Sequence, residues 1–400
     1  MKKIIALILV FFVFFSCENG QLAQTPPMGW MNWNMFGGNI NGQLIREMAD
    51  AMVAKGMKEA GYEYIIIDDL WQGQRDENGV LHPDPEKFPK GMKDLADYVH
   101  SKGLKLGIYS DAAEYTCAGA VGSIRYEEMD ARTFAEWGMD YLKYDYCGAP
   151  EHRDSAFVRY KKMADALKQT GRPMVFAICE WGPRKPWEWA ADAGGQLWRT
   201  TWDIRDTWDH GKYDGGHNGI INCLDRNVDL WKYSGPGKWN DMDMLVVGLY
   251  GTGESSSHDG ANGCTDMEYQ SQMSLWSMLN SPLITSCDLR NISQKSLAIL
   301  TNKEVIAINQ DKLGKQAQRI FKENDHEIWA RELEKGAWAV GFLNRNDNET
   351  LKMSLEFSKL GLESKMTVRD LWKHENVGEN LDSYSCEVRP HEVVLIKLSN

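Results

Sequence analysis

The chain has 400 residues, too many for one simple core and enough for a barrel-sized domain with a smaller companion. Its 57 acidic against 45 basic side chains give a formal net charge of −12 with no Lys/Arg cluster, which excludes a nucleic-acid role. Many of the 16 tryptophans stand beside Gly, Asn or Asp instead of inside apolar runs, as flat ligand platforms do, although core filling is the commoner use of any one of them.

Residues 1–24 read as an export signal and tether. Lys2 and Lys3 precede an apolar stretch from Ile4 to Phe15, shorter than the roughly 20 residues that span a bilayer. Ser16-Cys17 follows at once, a small residue before Cys as in a bacterial lipobox. The expectation is an exported bacterial protein of the periplasm or outer membrane. It would be lipid-anchored at Cys17, its only contact with a membrane. Eight cysteines less Cys17 leave seven, so at least one stays free in a monomer. No CxxC and no Cys/His cluster with zinc spacing occurs, so neither a metal nor a cofactor is expected.

Strand candidates follow in order: Met28–Trp33, Tyr62–Asp69, Leu104–Asp111, Tyr141–Cys147, Met174–Trp181, Leu197–Ile204, Lys238–Leu245 and Leu283–Leu289. Helix-capable sequence lies between them. Leu44, Met48 and Met52 recur every four residues, and Met92, Leu95 and Val99 follow i, i+3, i+7 up to a stop at Lys102-Gly103. Eight such units predict a (β/α)8 TIM barrel over 25–313. A doubly wound sheet is the competing fold, but Gly37-Gly38 after the first strand lacks its GxGxxG turn.

Beyond residue 313 the pattern alternates. Glu327–Glu334 and Ala337–Asn344 flank Lys335-Gly336 as a hairpin would, and Thr350–Phe357, Met366–Trp372, Ser385–Arg389 and Glu392–Leu398 read as further strands. This predicts a C-terminal antiparallel β-sandwich over 314–400, with no residue that looks chemical. The low-complexity stretch Thr252–Gly263 follows the seventh strand, on the face where barrels keep their sites.

The strand ends carry the chemistry. They read Trp33, Asp68-Asp69, Tyr109 with Asp111, Lys143 with Asp145, Glu180-Trp181, Arg199 with Asp203, and Asp241 with Asp243. Alternation along a strand puts Lys143, Asp145 and Cys147 on one face, and Arg199, Thr201 and Asp203 on another. Carboxylates accept hydrogen bonds from vicinal hydroxyls, and aromatic faces stack on the C–H face of a hexose. Two carboxylates from different strand tips are what glycosidic bond cleavage needs, one ionised and one holding a proton.

The chain resembles the retaining α-galactosidases (melibiases) of glycoside hydrolase family 27, which also contains the α-N-acetylgalactosaminidases. The resemblance spans Thr25 to about Leu313. It rests on Pro27-Met-Gly-Trp-Met-Asn-Trp33, Ile67-Asp-Asp-Leu-Trp71, Gly107-Ile-Tyr-Ser-Asp111, Leu142-Lys-Tyr-Asp145, Cys179-Glu-Trp-Gly182, Arg199-Thr-Thr-Trp-Asp203 and Trp239-Asn-Asp-Met-Asp-Met-Leu245. Each motif is weak alone; seven in order are specific.

The resemblance implies Asp145 as nucleophile and Asp203 as acid/base. It implies Asp68 and Asp69 as ligands to the sugar O4 and O6, Lys143 and Arg199 as ligands to ring hydroxyls, and Trp33 as stacking platform. Tyr109, Glu180, Trp181, Asp243 and Met244 complete the implied pocket, and Cys117–Cys147 is the implied disulfide. Residue chemistry adds that Lys143 should keep Asp145 ionised, whereas Arg199 would oppose a proton on Asp203 and so should engage substrate. Three departures stand out. Leu70 replaces a common Cys, Trp202 a usual Gly before the acid/base, and Met242 a common Pro.

The leading expectation is thus an exo-acting retaining hydrolase that releases terminal α-linked D-galactose from galactose-containing glycans. A β-L-arabinopyranosidase of the same family is the nearer alternative, disfavoured by the intact Asp68-Asp69 pair. Glu180-Trp181-Gly182 crowds the place of a 2-acetamido group. A non-catalytic surface glycan-binding lipoprotein is the alternative of another class, disfavoured because both Asp145 and Asp203 are present. Protein partners are not legible in the sequence.

Overall fold

The computed structural model describes residues 22–211, 217–255 and 262–400. Cys17 and nearly all of the predicted export segment lie outside these residues, as does the middle of Thr252–Gly263.

Eight short parallel strands form the amino-terminal sheet: β1 (Met28–Met31), β2 (Tyr64–Ile66), β3 (Lys105–Asp111), β4 (Tyr141–Asp145), β5 (Val175–Ile178), β6 (Leu197–Arg199), β7 (Trp239–Asp241) and β8 (Leu283–Thr285). Their order is β8-β1-β2-β3-β4-β5-β6-β7. The ring closes through a parallel bridge between Leu245 and Thr285, where the Leu245 N–H donates to the Ile284 carbonyl at 2.8 Å. This is the expected TIM-like barrel. Its strands are apolar runs because both faces are covered. Inside lie Met31, Tyr64, Ile66, Tyr141, Val175, Leu197, Trp239 and Ile284; the other faces join the larger core under the helices. Gly29 permits the close approach of β1 to β2, since a Cβ there would lie 2.5 Å from the Tyr64 carbonyl oxygen.

Helices Gly42–Ala54 and Gly91–Ser101 occupy the two stretches read from periodicity, with Leu44, Met48, Met52, Met92, Leu95 and Val99 on their buried faces. The connection after β5 differs. Among the described residues it holds only the 3-10 turn Pro186–Glu188, in a segment broken by Gly182, Pro183, Pro186 and Gly194-Gly195.

The carboxyl-terminal part is an antiparallel sandwich of β9 (Gln318–Glu323), β10 (His326–Glu332), β11 (Trp338–Asn344), β12 (Leu351–Glu356), β13 (Met366–Asp370), β14 (Glu375–Leu381), β15 (Ser383–Val388) and β16 (Val393–Ser399). A six-stranded sheet, β9-β10-β11-β16-β13-β14, faces the β12-β15 pair. Period-two alternation divides its residues. Ile328, Val340, Phe342, Ile396 and Leu398 fill the sandwich with Met353 and Leu355, while Trp329, Leu343 and Leu395 join the barrel core. Trp372 donates from Nε1 to Ser274 Oγ on the barrel helix Asp266–Met278 at 2.9 Å. β9 and β14 were not among the expected strands. Both are edge strands with largely exposed side chains, so burial imposes no alternation on them.

Candidate active site

The expected polar residues converge at the carboxyl ends of the barrel strands. Register sets the first layer: Tyr109 pairs with Lys143 and Asp111 with Asp145 across β3 and β4, and Arg199 pairs with Asp241 across β6 and β7. Asp68, Asp69, Asp145, Arg199 and Asp243 are all nearly buried, with 1–4% of their surface exposed. Trp33 is half-buried at the start of a short helix and packs against the barrel-interior cluster that includes Met244.

On the β2–β4 side, Lys143 Nζ donates to Asp68 Oδ2 at 2.7 Å and lies 5.2 Å from the Tyr109 ring centroid. Asp68 Oδ1 accepts the Asp69 N–H at 2.7 Å. Asp69 in turn accepts the N–H groups of Leu70 at 2.7 Å and Ala118 at 2.9 Å. The disulfide Cys117–Cys147 is present and secures that contact, since Ala118 directly follows Cys117. Tyr109 donates its hydroxyl to Cys117 Sγ at 3.3 Å, and Asp111 accepts the Cys147 N–H at 2.9 Å. Asp111 is fully buried beside Asp145, and burial together with the Asp145 charge pushes its carboxyl up to about 8.

On the β6–β7 side, Arg199 is a buried clamp. Its Nη2 lies 2.9 Å from both Asp203 Oδ1 and Asp243 Oδ2. Asp243 also accepts the N–H of Ile204 at 2.8 Å, which ties the segment carrying Asp203 to the end of β7. Leu70, Trp181 and Asp243 all have positive φ, at 67°, 60° and 79°. Non-glycine residues in this region are strained, and such strain gathers at functional sites.

Two expectations about charge need correction. Lys143 pairs with Asp68, not Asp145, so burial dominates and raises the Asp145 carboxyl to about 7 despite the nearby ammonium. Arg199 does face Asp203. The protein walls around it would raise that carboxyl although its tip meets solvent, but the guanidinium, helped by Lys143, outweighs this and holds Asp203 below the usual range. The Asp203 side chain is 52% exposed, so it sits at the mouth while Asp145 sits at the bottom.

Glu180 also differs from its expected place on the pocket wall. It has no exposed surface, and its Oε2 accepts from the Arg184 N–H at 3.2 Å and from Arg184 Nη1 at 3.0 Å. Burial raises its carboxyl to about 7. Glu180 therefore braces the loop after β5. Two other braces, Asn32 and Asp206, had no sequence signal of that role. Asn32 Oδ1 accepts the Asp68 N–H at 2.7 Å. Asp206 accepts from the N–H groups of Gly251 and Cys264 at 2.7 and 3.0 Å, holding both ends of the segment that contains 256–261.

A family model described as "Alpha galactosidase A" matches residues 25–311, and one described as "Alpha galactosidase C-terminal beta sandwich domain" matches 323–398. The chain belongs to the alpha-galactosidase A family. It is 48% identical to alpha-galactosidase A of Cellvibrio japonicus, over 95% of this chain and 93% of that one. The crystal structure of alpha-galactosidase I from Mortierella vinacea superposes with a TM-score of 0.88 at 36% identity, covering 96% and 98% of the two chains. A β-L-arabinopyranosidase from Geobacillus stearothermophilus gives a TM-score of 0.81 at 27% identity, covering 94% and 97%.

The disulfide contact to Asp69 yields a prediction for this α-galactosidase-family chain. Replacing both cysteines, Cys117→Ser with Cys147→Ser, frees the loop that delivers the Ala118 N–H. KM for an α-galactoside is expected to rise about ten-fold, with kcat changed much less, because ground-state positioning is lost. Steady-state kinetics check this; an unchanged KM would show that the loop holds Asp69 without the disulfide.

Proposed function

We propose that Asp145 attacks the anomeric carbon of a terminal α-linked galactose and that Asp203 gives its proton to the departing glycosidic oxygen. A bond forms from Asp145 Oδ to C1 as the C1–O bond breaks, leaving a galactosyl ester on Asp145 and a carboxylate on Asp203. Asp203 then takes a proton from water, whose oxygen attacks C1 and frees Asp145. Two inversions give net retention. The observation that carries this reading is the placement of one buried and one mouth-facing carboxylate at the ends of β4 and β6. It agrees with the activity of this family, hydrolysis of terminal α-galactosides.

The proton must change places for this chemistry. In the empty site burial favours it on Asp145, and Arg199 disfavours it on Asp203. A sugar hydroxyl that draws on Arg199 weakens the hold on Asp203, while positive charge developing at C1 favours the Asp145 carboxylate. Galactose then selects the productive arrangement of one shared proton. Asp68 and Asp69 suit O4 and O6, with Lys143, set over the Tyr109 ring, fixing Asp68. Export and anchorage at Cys17 belong to the same reading.

The test compares 4-nitrophenyl α-D-galactopyranoside with the β-L-arabinopyranoside, which lacks C6. A site that bonds a hydroxyl discriminates against its absence, here on the order of 100-fold in kcat/KM because water can enter the mouth. Proton NMR should find α-galactose as the first product, and Asp145→Asn should cost several orders of magnitude in kcat. A preference for the pentoside, or β-galactose formed first, contradicts the reading.

The pair also sets a pH dependence. The reactive form carries one proton on the two carboxylates, and the last proton leaves as pH rises through about 7, the Asp145 value. Activity should therefore be present below that pH and lost above it, in a kcat/KM profile of the free enzyme. A profile level from pH 6 to 9 is the contrary result.

A further inference from the structure

Two indoles stand at the mouth beside Asp203. Trp181 and Trp202 stack with ring centroids 5.1 Å apart and planes 6° from parallel. Trp202 directly precedes Asp203, and both tryptophans are half-buried. Trp181 packs at the edge of the barrel core with Trp202 over it.

The backbone holds this pair rigidly. Gly182 follows Trp181 with φ 95°, and a Cβ on it would lie 2.4 Å from the Thr200 carbonyl oxygen, so only glycine lets the loop after β5 rest on the loop after β6. Asn218, fully buried, donates from Nδ2 to the Trp202 carbonyl at 2.9 Å and from its backbone N–H to the Asp203 carbonyl at 3.0 Å. The stack and the acid/base are therefore fixed to one frame.

Asp145 lies at the bottom of the site and Asp203 at its mouth, so the leaving oxygen points outward along the Asp203 side. Whatever that oxygen carries emerges beside Trp202. A flat apolar ring pair next to the exit matches the C–H face of a pyranose. We infer that the Trp181–Trp202 stack is a leaving-group subsite for a glycosyl residue, which makes the chain selective for galactose attached to another sugar. A simple alkyl leaving group gains nothing from the platform. The inference rests on the α-galactosidase reading and adds the class of aglycone to it.

Melibiose and methyl α-D-galactopyranoside test it. Both expel a primary alcohol, and they differ in whether a sugar ring is attached to it. Trp202→Ala should lower the ratio of kcat/KM for melibiose to that for the methyl galactoside about ten-fold, the order of a stacking contact. Trp202→Phe, which keeps a flat ring, should hold the ratio within about three-fold of the parent. Trp202→Leu, which keeps apolar bulk against Trp181 without the flat face, should fall with Ala and serves where the Ala variant does not fold. A ratio unchanged in Ala or Leu, or lost equally in Phe, overturns the inference. A parent protein that cleaves neither galactoside overturns the functional reading beneath it instead.

Discussion

One buried guanidinium organises the catalytic end of this barrel. Arg199 ends β6 and divides itself between Asp203, at the mouth, and Asp243, at the end of β7. Isolated, a charge at 4% exposure would be costly to bury. Paired with two carboxylates it becomes the joint between neighbouring loops, because Asp243 also takes the Ile204 N–H just after Asp203. The same joint decides where the proton rests. By holding Asp203 ionised in the empty site, Arg199 leaves the buried Asp145 as the preferred proton carrier, and the proposed mechanism requires the galactosyl group to reverse that order.

The barrel makes such a joint possible at modest cost. Its strands are short, so the chain leaves the sheet almost as soon as it reaches the polar layer. Beyond that point side chains and turns take over from the ladder. Positive φ at Leu70, Trp181 and Asp243 turns the chain sharply after β2, β5 and β7. The folded core offsets this strain, and the bonds from Asn32, Ala118, Arg184 and Ile204 pin the resulting geometry. The disulfide acts in the same way for the loops after β3 and β4.

The barrel strands were legible because burial on both faces leaves apolar runs that end abruptly in charged residues. The carboxylates were legible because they stand at those ends. Partnership was not. Alternation puts Lys143 and Asp145 on one face, yet Lys143 reaches past β3 to Asp68 at the end of β2, a choice made by barrel curvature. Glu180 sits in a motif of pocket residues but turns to Arg184. Asp206 and Asn32 act through backbone N–H groups far away in sequence, which no local pattern records. In the sandwich, β9 and β14 escaped notice because an exposed edge needs no hydrophobic alternation.

The proposed chemistry turns on which carboxyl holds the shared proton, and this can be read directly. Carboxyl carbon-13 NMR of aspartate-labelled protein, assigned with Asp145→Asn and Asp203→Asn, would follow both groups through pH with and without saturating galactose. Asp145 in the free enzyme should titrate near 7 while Asp203 is already ionised, and galactose should lower the first and raise the second. An Asp145 that titrates like an ordinary aspartate in the empty site, with Asp203 keeping the proton, would contradict that chemistry.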